Sequence, residues 1–270
     1  MMKRMIHLTA MISMLLAAMA LMPACATLPD TEQDFGYEDI GHIMDVYNRS
    51  VNELEAGDRV MILFLDGFSW QEYQKAMDED TAPYIEAHFT GGPALSVMKP
   101  VTNSGMAAMI TGTPPEVNGI ADRSKREYRV PDIFDKAAEL GKKAALIEGD
   151  IQILKTSLAP VLNVDRDDDG TDDEVVESAL NALAEAPDLI MVHFHGIDDQ
   201  GHAHGPYSKE VTDKINEIDG YIKLLAAEFN GTILLVADHG MHEDGSGGDH
   251  GENLEEDMVV PFLTMESEGR

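Results

Sequence analysis

Five continuous apolar runs punctuate the chain: Val60–Leu65, Ala144–Ile147, Leu189–Phe194, Ile233–Ala237 and Val259–Leu263. Each has strand length and none alternates with polar residues, so each predicts a strand covered on both faces. Between them, apolar residues recur at helical spacing in Ser104–Ile110, Ile133–Leu140, Val175–Ala184 and Lys209–Phe229, which predicts helices. Strands alternating with helices imply one α/β domain over 59–270, three layers deep (α/β/α) around a mostly parallel central sheet. Ahead of it, residues 27–58 read as a lead-in. There Ile40, Ile43, Met44, Tyr47, Val51 and Leu54 predict a short amphipathic helix that packs on the domain.

The first 26 residues carry a different pattern. Lys3 and Arg4 precede an apolar run from Met11 to Met22, and Ala24-Cys25-Ala26 closes it. This is the layout of a secretory signal peptide, and the run is short for a spanning helix. Ala24-Cys25-Ala26 fits an A-x-A cleavage site. Leu21-Met22-Pro23-Ala24-Cys25 equally resembles a lipoprotein signal, which would make Cys25 a lipid anchor. Either route places the protein outside the cytoplasm: secreted, periplasmic or tethered at the cell surface. Cys25 is the only cysteine, so no intramolecular disulfide or further thiol ligand is expected.

Charge changes the picture next. Fifty acidic against 19 basic residues give −31, which argues against a basic nucleic-acid-binding surface. Such a surface repels anionic substrates unless bound cations offset it locally.

Candidate chemistry gathers just after the strands, where open α/β sheets bind their ligands. Asp66-Gly67 follows the first run, and alone it is also an ordinary turn. Asp198-Asp199-Gln200-Gly201-His202 follows the third, with a D-x-x-x-H spacing that can aim both side chains at one ion. Asp238-His239 follows the fourth, with Asp249-His250-Gly251 soon after. Seven of the ten histidines lie between His193 and His250. Histidine with carboxylate is a zinc-type donor set, which manganese or iron can share.

These motifs resemble the alkaline phosphatase superfamily, closest to its type I phosphodiesterase/nucleotide pyrophosphatase branch. The likeness runs from Arg59 to Leu263 and includes Val101-Thr102-Asn103-Ser104-Gly105 leading into Ile110-Thr111-Gly112-Thr113-Pro114. In that branch a threonine sits nine residues before the Thr-Gly, as Thr102 does. The resemblance implies an alkaline phosphatase-like fold and two zinc ions, with manganese or iron acceptable at one site. It implies Asp66, Thr102, Asp238 and His239 around one ion, and Asp198, His202 and His250 around the other. It also implies a small phosphate-ester substrate and a phosphothreonine intermediate on Thr102, then hydrolysed by water. The chemistry agrees, because a threonine hydroxyl is a weak nucleophile that a dication activates. Ser104 is the alternative nucleophile, with Thr102 then a helix cap, but it reads first as the cap of the following helix; Asp199 is the alternative to Asp198. His193, His195, His204 and His242 read as residues that support the ligands from behind, or as rim or surface residues, and stay outside the ligand set.

Two features depart from the family pattern. Where that branch has an asparagine 21 residues after the nucleophile, this chain has Arg123. A planar guanidinium can grip two phosphoryl oxygens, which suits a monoester; equally, Arg123, Lys125, Arg126 and Arg129 can form a solvated basic turn. Asp165, Asp167, Asp169 and Asp173, with Gly170, match the first part of a calcium loop, although Val176 stands where its last glutamate would be. Only ten residues separate His239 from His250, which leaves room for a minimal cap at most and predicts an open site. A phosphoric ester hydrolase is therefore the leading expectation. A phosphonate hydrolase and a non-catalytic metal-binding envelope protein are the alternatives.

Overall fold

The computed structural model describes residues 35–38 and 40–268. The signal segment, Cys25 and the start of the lead-in lie outside the described residues. In chain order the strands are β1 (Gly41–His42), β2 (Val60–Leu65), β3 (Thr90–Leu95), β4 (Ala144–Glu148), β5 (Val161–Leu162), β6 (Leu189–Phe194), β7 (Asn230–Val236), β8 (His242–Glu243), β9 (Gly248–Asp249) and β10 (Val259–Glu268). The helices are α1 (Asp45–Ala56), α2 (Trp70–Asp78), α3 (Pro83–His88), α4 (Thr102–Thr111), α5 (Pro115–Asn118), α6 (Ile133–Glu139), α7 (Asp172–Leu183), α8 (Gly196–His204), α9 (Lys209–Glu228) and α10 (Glu255–Met258).

Eight strands form one sheet in the order β1-β3-β10-β7-β2-β6-β4-β5. β2 pairs in parallel with both β6 and β7, and every residue of β2 and β6 is buried. This is the expected consequence of apolar runs with helices on both faces. β10 alone runs the other way, antiparallel to β3 and β7. The expected α/β architecture with a mostly parallel sheet is the observed one.

The lead-in differs in detail from its periodicity. Gly41–His42 pairs with β3 as an edge strand, and the helix starts only at Asp45. Its buried face is Val46, Ser50 and Leu54, while Ile43 enters the core from the preceding turn. Between His239 and His250 the chain makes only the β8–β9 hairpin, so no cap arises there.

Candidate active site

β2, β6 and β7 end at the same rim of the sheet, and the polar residues that follow them converge. Asp66 continues the pairing of β2, donating its N–H to Phe194 O at 2.9 Å. The register sets Phe64 against His193, so Asp66 falls beside His195. Its Oδ2 lies 3.1 Å from His193 Nε2 and 3.3 Å from His195 Nδ1. Its Oδ1 lies 3.3 Å from His239 Nε2 and 3.5 Å from Thr102 Oγ1. Asp238 Oδ2 is 3.3 Å from the same His239 nitrogen. Thr102 opens α4 with Oγ1 3.4 Å from His239 Nε2. The free N–H groups of a helix start favour an anion there.

The second group stands on α8. One turn of helix brings Asp198 and His202 to the same face, with Oδ2 and Nε2 3.4 Å apart. His250 Nε2 is 3.6 Å from Asp198 Oδ1. The His239 and His250 rings stack at 3.7 Å and join the two groups. In all three site histidines Nδ1 faces a backbone carbonyl: Gly248 O at 2.8 Å for His202, Gly240 O at 2.9 Å for His239 and Pro100 O at 2.9 Å for His250. That arrangement fixes each ring with Nε2 turned to the site, as metal-binding histidines require.

Close approach is possible only because of two glycines. Gly67 has φ +72°, and a Cβ there would stand 2.8 Å from Asp198 Cβ. A Cβ on Gly105, in the first turn of α4, would stand 2.5 Å from Asp238 Cβ.

The electrostatics show a cluster short of positive charge. Burial would raise Asp66, yet His193, His195 and His239 hold it well below the carboxylate range. Burial and then the Asp66 charge push Asp238 well above it. His239 is driven up to about 10, because Asp238 and Asp66 outweigh the effect of burial. Burial and the neighbouring His239 charge push His250 down to about 3. Asp198 Oδ1 and Asp238 Oδ2 are buried with no hydrogen-bond partner. Buried carboxylate oxygens without donors are what cations satisfy. Two donor groups are compact enough for an ion: Asp66, Asp238 and His239, and Asp198, His239 and His250. The residues therefore fit a pair of divalent ions, with Thr102 at the first group and His202 at the second.

All seven expected ligands meet here, and Arg123 joins them from the wall. Its guanidinium lies against His250 Nε2. An open cleft of about 570 Å³ takes in Asp66, Thr102, Arg123, Asp198 and His202. Asp165, Asp167 and Asp169 gather on the loop between β5 and α7, and Asp173 stands in the first turn of α7. Ser104 is not the helix cap expected of it. α4 starts two residues earlier, after Val101, and Ser104 is fully buried with its Oγ unpartnered.

Three residues at the site stand outside the expected set. His193 and His195 form a third compact donor group with Asp66. Their i, i+2 spacing at a strand end was the available signal. Asn103 Nδ2 donates to Lys125 O at 3.0 Å and Ile153 O at 3.3 Å, tying the turn that carries Arg123 to α4; nothing local in sequence announces this.

The chain is 36% identical over 104 residues to the catalytic subunit of Homo sapiens GPI ethanolamine phosphate transferase 3, covering 37% of this chain and 9% of that protein. It spans about a tenth of the length of the curated relatives it matches. The fold is similar to that of inactive murine ectonucleotide pyrophosphatase/phosphodiesterase 5 in complex with AMP, with a TM-score of 0.61 and 13% identity over 77% of this chain and 88% of that one. It is also similar to Sinorhizobium meliloti 1021 phosphonoacetate hydrolase in complex with phosphonoformate, with a TM-score of 0.55 and 19% identity over 71% and 60% of the two chains. Residues 122–258, half of the chain, match type I phosphodiesterase / nucleotide pyrophosphatase. That span holds Asp198, His202, Asp238, His239 and His250, and the chain belongs to this family.

Proposed function

We propose that the protein hydrolyses phosphoric esters in two displacements at Thr102. The observation that carries this is Thr102 Oγ1 at the start of α4, 3.5 Å from Asp66 and 3.4 Å from His239, beside carboxylate oxygens that lack donors. Asp66, Thr102, Asp238 and His239 would hold one divalent ion, and Asp198, His202 and His250 the other, with zinc the best match to these donors. Bound there, the pair supplies Lewis acidity and offsets charge on the attacking and leaving oxygens.

The chain's own residues do the rest. Thr102 Oγ loses its proton and attacks phosphorus; the P–O bond to the leaving alcohol breaks, and the alcohol departs with a proton. Water then attacks the phosphothreonine, the phosphorus–Oγ bond breaks, and Thr102 regains a proton. The N-terminal N–H groups of α4 and the Arg123 fork would steady the phosphoryl oxygens. Arg123 favours a doubly charged monoester over a diester, and the open cleft fits a small substrate. The N-terminal signal pattern supports action outside the cytoplasm. The mass of the mature N-terminus distinguishes cleavage from lipidation of Cys25.

The test compares nitrophenyl phosphate with bis-nitrophenyl phosphate at varied zinc, for the wild type, Thr102→Ala and Thr102→Ser. Thr102→Ala should lose at least about a thousandfold in kcat, with Thr102→Ser partly active. An acid quench should trap phosphate on the Thr102 peptide. Full activity of Thr102→Ala would sink the assignment, and a preference for the diester would remove the role given to Arg123.

The likeness to GPI ethanolamine phosphate transferases favours a second reading, in which an alcohol rather than water takes the group from Thr102. Adding an alcohol to the assay separates the two, since transfer yields a new ester in proportion to the alcohol present.

A further inference from the structure

Between β5 and α7 the chain forms a loop that the reaction above does not use. Asp165, Asp167 and Asp169 bring oxygens within 4.8 Å of one another there, all on exposed side chains. Asp165 is pinned: Oδ1 accepts N–H bonds from Asp167 at 3.2 Å and Asp168 at 2.8 Å, and Oδ2 accepts one from Gly170 at 3.3 Å. Alone, this would be an acidic turn.

A second observation comes from the first turn of α7. Glu174 is only 4% exposed. Its Oε1 accepts from the Arg166 N–H at 3.2 Å and from Arg166 Nε at 2.7 Å. Its Oε2 is buried with no hydrogen-bond partner, and so is Asp173 Oδ1. Glu174, Asp173 and Asp167 bring oxygens within 4.8 Å of one another. Asp167 belongs to both groups and joins them. Buried carboxylate oxygens facing other carboxylates are unfavourable without a positive charge among them, and Arg166 is already engaged on the far oxygen of Glu174.

We infer that this loop binds one calcium ion through Asp165, Asp167, Asp169, Asp173 and Glu174. The donors are all oxygen, which disfavours zinc. Five carboxylates, three on the loop and two in the first turn of α7, suit the six to eight oxygens calcium accepts, whereas magnesium demands a strict octahedron and keeps its waters. Glu174 supplies a carboxylate that the sequence pattern, with Val176 at the last position, lacks.

The ion would reach the active cleft through short connections. Asp165, Gly170 and Thr171 line that cleft. Asp172, next in the chain, accepts N–H bonds from His195 at 3.0 Å and Gly196 at 3.1 Å, where α8 begins. Ordering the loop therefore stiffens a cleft wall and the base of the helix that carries Asp198 and His202.

The test is a calorimetric titration of calcium chloride into the purified protein in zinc-containing buffer at about 150 mM salt, which screens diffuse binding. Thermal melts with calcium or magnesium run alongside. The wild type should bind one calcium and melt at least about 3 °C higher in millimolar calcium, with magnesium far less effective. The double variant Asp167→Asn/Asp169→Asn should bind at least about tenfold more weakly and lose the melting shift. Should that variant not fold, Glu174→Gln, which keeps an oxygen for Arg166, carries the comparison with the same expectation. A wild type showing neither heat nor shift overturns the proposal, as does a folded variant that binds calcium like the wild type.

Discussion

Buried in β6 and stacked on the Phe64 ring at 3.7 Å, His193 reaches Asp66 with Nε2 and turns Nδ1 toward Glu148, 3.8 Å away. A ligand carboxylate held this way keeps its orientation when an ion arrives. His193→Phe preserves the stacking volume and removes both nitrogens. It should weaken zinc activation by about 10- to 100-fold, with activity restored by excess zinc; a zinc titration of activity checks this, and an unchanged midpoint refutes it. Glu72 offers a second measurement. Only 2% exposed, it accepts the Ser69 N–H at 2.7 Å in the cap of α2, and burial pushes it up to about 8. Its folded value exceeds its ordinary 4.5, so the unfolded chain ionises first and stability is lost as pH rises from 4.5 towards 8. Glu72→Gln should remove that loss. Denaturant melts should show its advantage growing between pH 5 and pH 8, to on the order of 4 kcal/mol at most. Residues with chemistry beside a strand end were legible, as Asp66 and Asp238 show. The contact of His193 with Asp66 was not, because it depends on the register of β2 against β6.

At the scale of elements, strands with unbroken apolar runs were visible and those without were not. β3 is Thr-Gly-Gly-Pro-Ala-Leu, a turn-like composition. It is a strand because β10 pairs along its whole length, and that partner lies far away in the sequence. α8 has only Gly196, Ile197 and Gly201 buried, so it shows no apolar stripe. Gly201 is needed there because a Cβ would stand 2.6 Å from Met241 Sδ. The D-x-x-x-H spacing was readable while the helix that explains it was not. The junction of β2 with its loop is the most exacting of these joints. Gly67→Ala would force a left-handed residue carrying a Cβ into Asp198, a displacement that can cost about 100-fold in rate. Zinc analysis of the folded variant should fall from two ions to one, and retention of both at full activity would contradict the packing argument.

For the whole molecule, the dominant property is charge. At −31 the chain repels an anionic ester at distances where any cations held at the site would be screened from view. Raising sodium chloride from about 10 to about 150 mM should therefore increase kcat/KM for nitrophenyl phosphate by roughly two- to tenfold, through KM more than kcat. A fall with salt would show that the local positive field at the cleft governs capture instead. Composition revealed this balance without any structure. The meeting of three strand ends at one rim was foreshadowed by polar residues after each strand, but the strand order that makes them neighbours was not.

β10, the one reversed strand, has a practical consequence. Its start pairs with the cleft-side end of β3 and its far end with the beginning of β7, Glu268 opposite Asn230. The polypeptide thus leaves the sheet at the rim farthest from Thr102. A peptide handle inserted after Glu268 would hold the protein on a bead or sensor chip with the cleft toward the liquid.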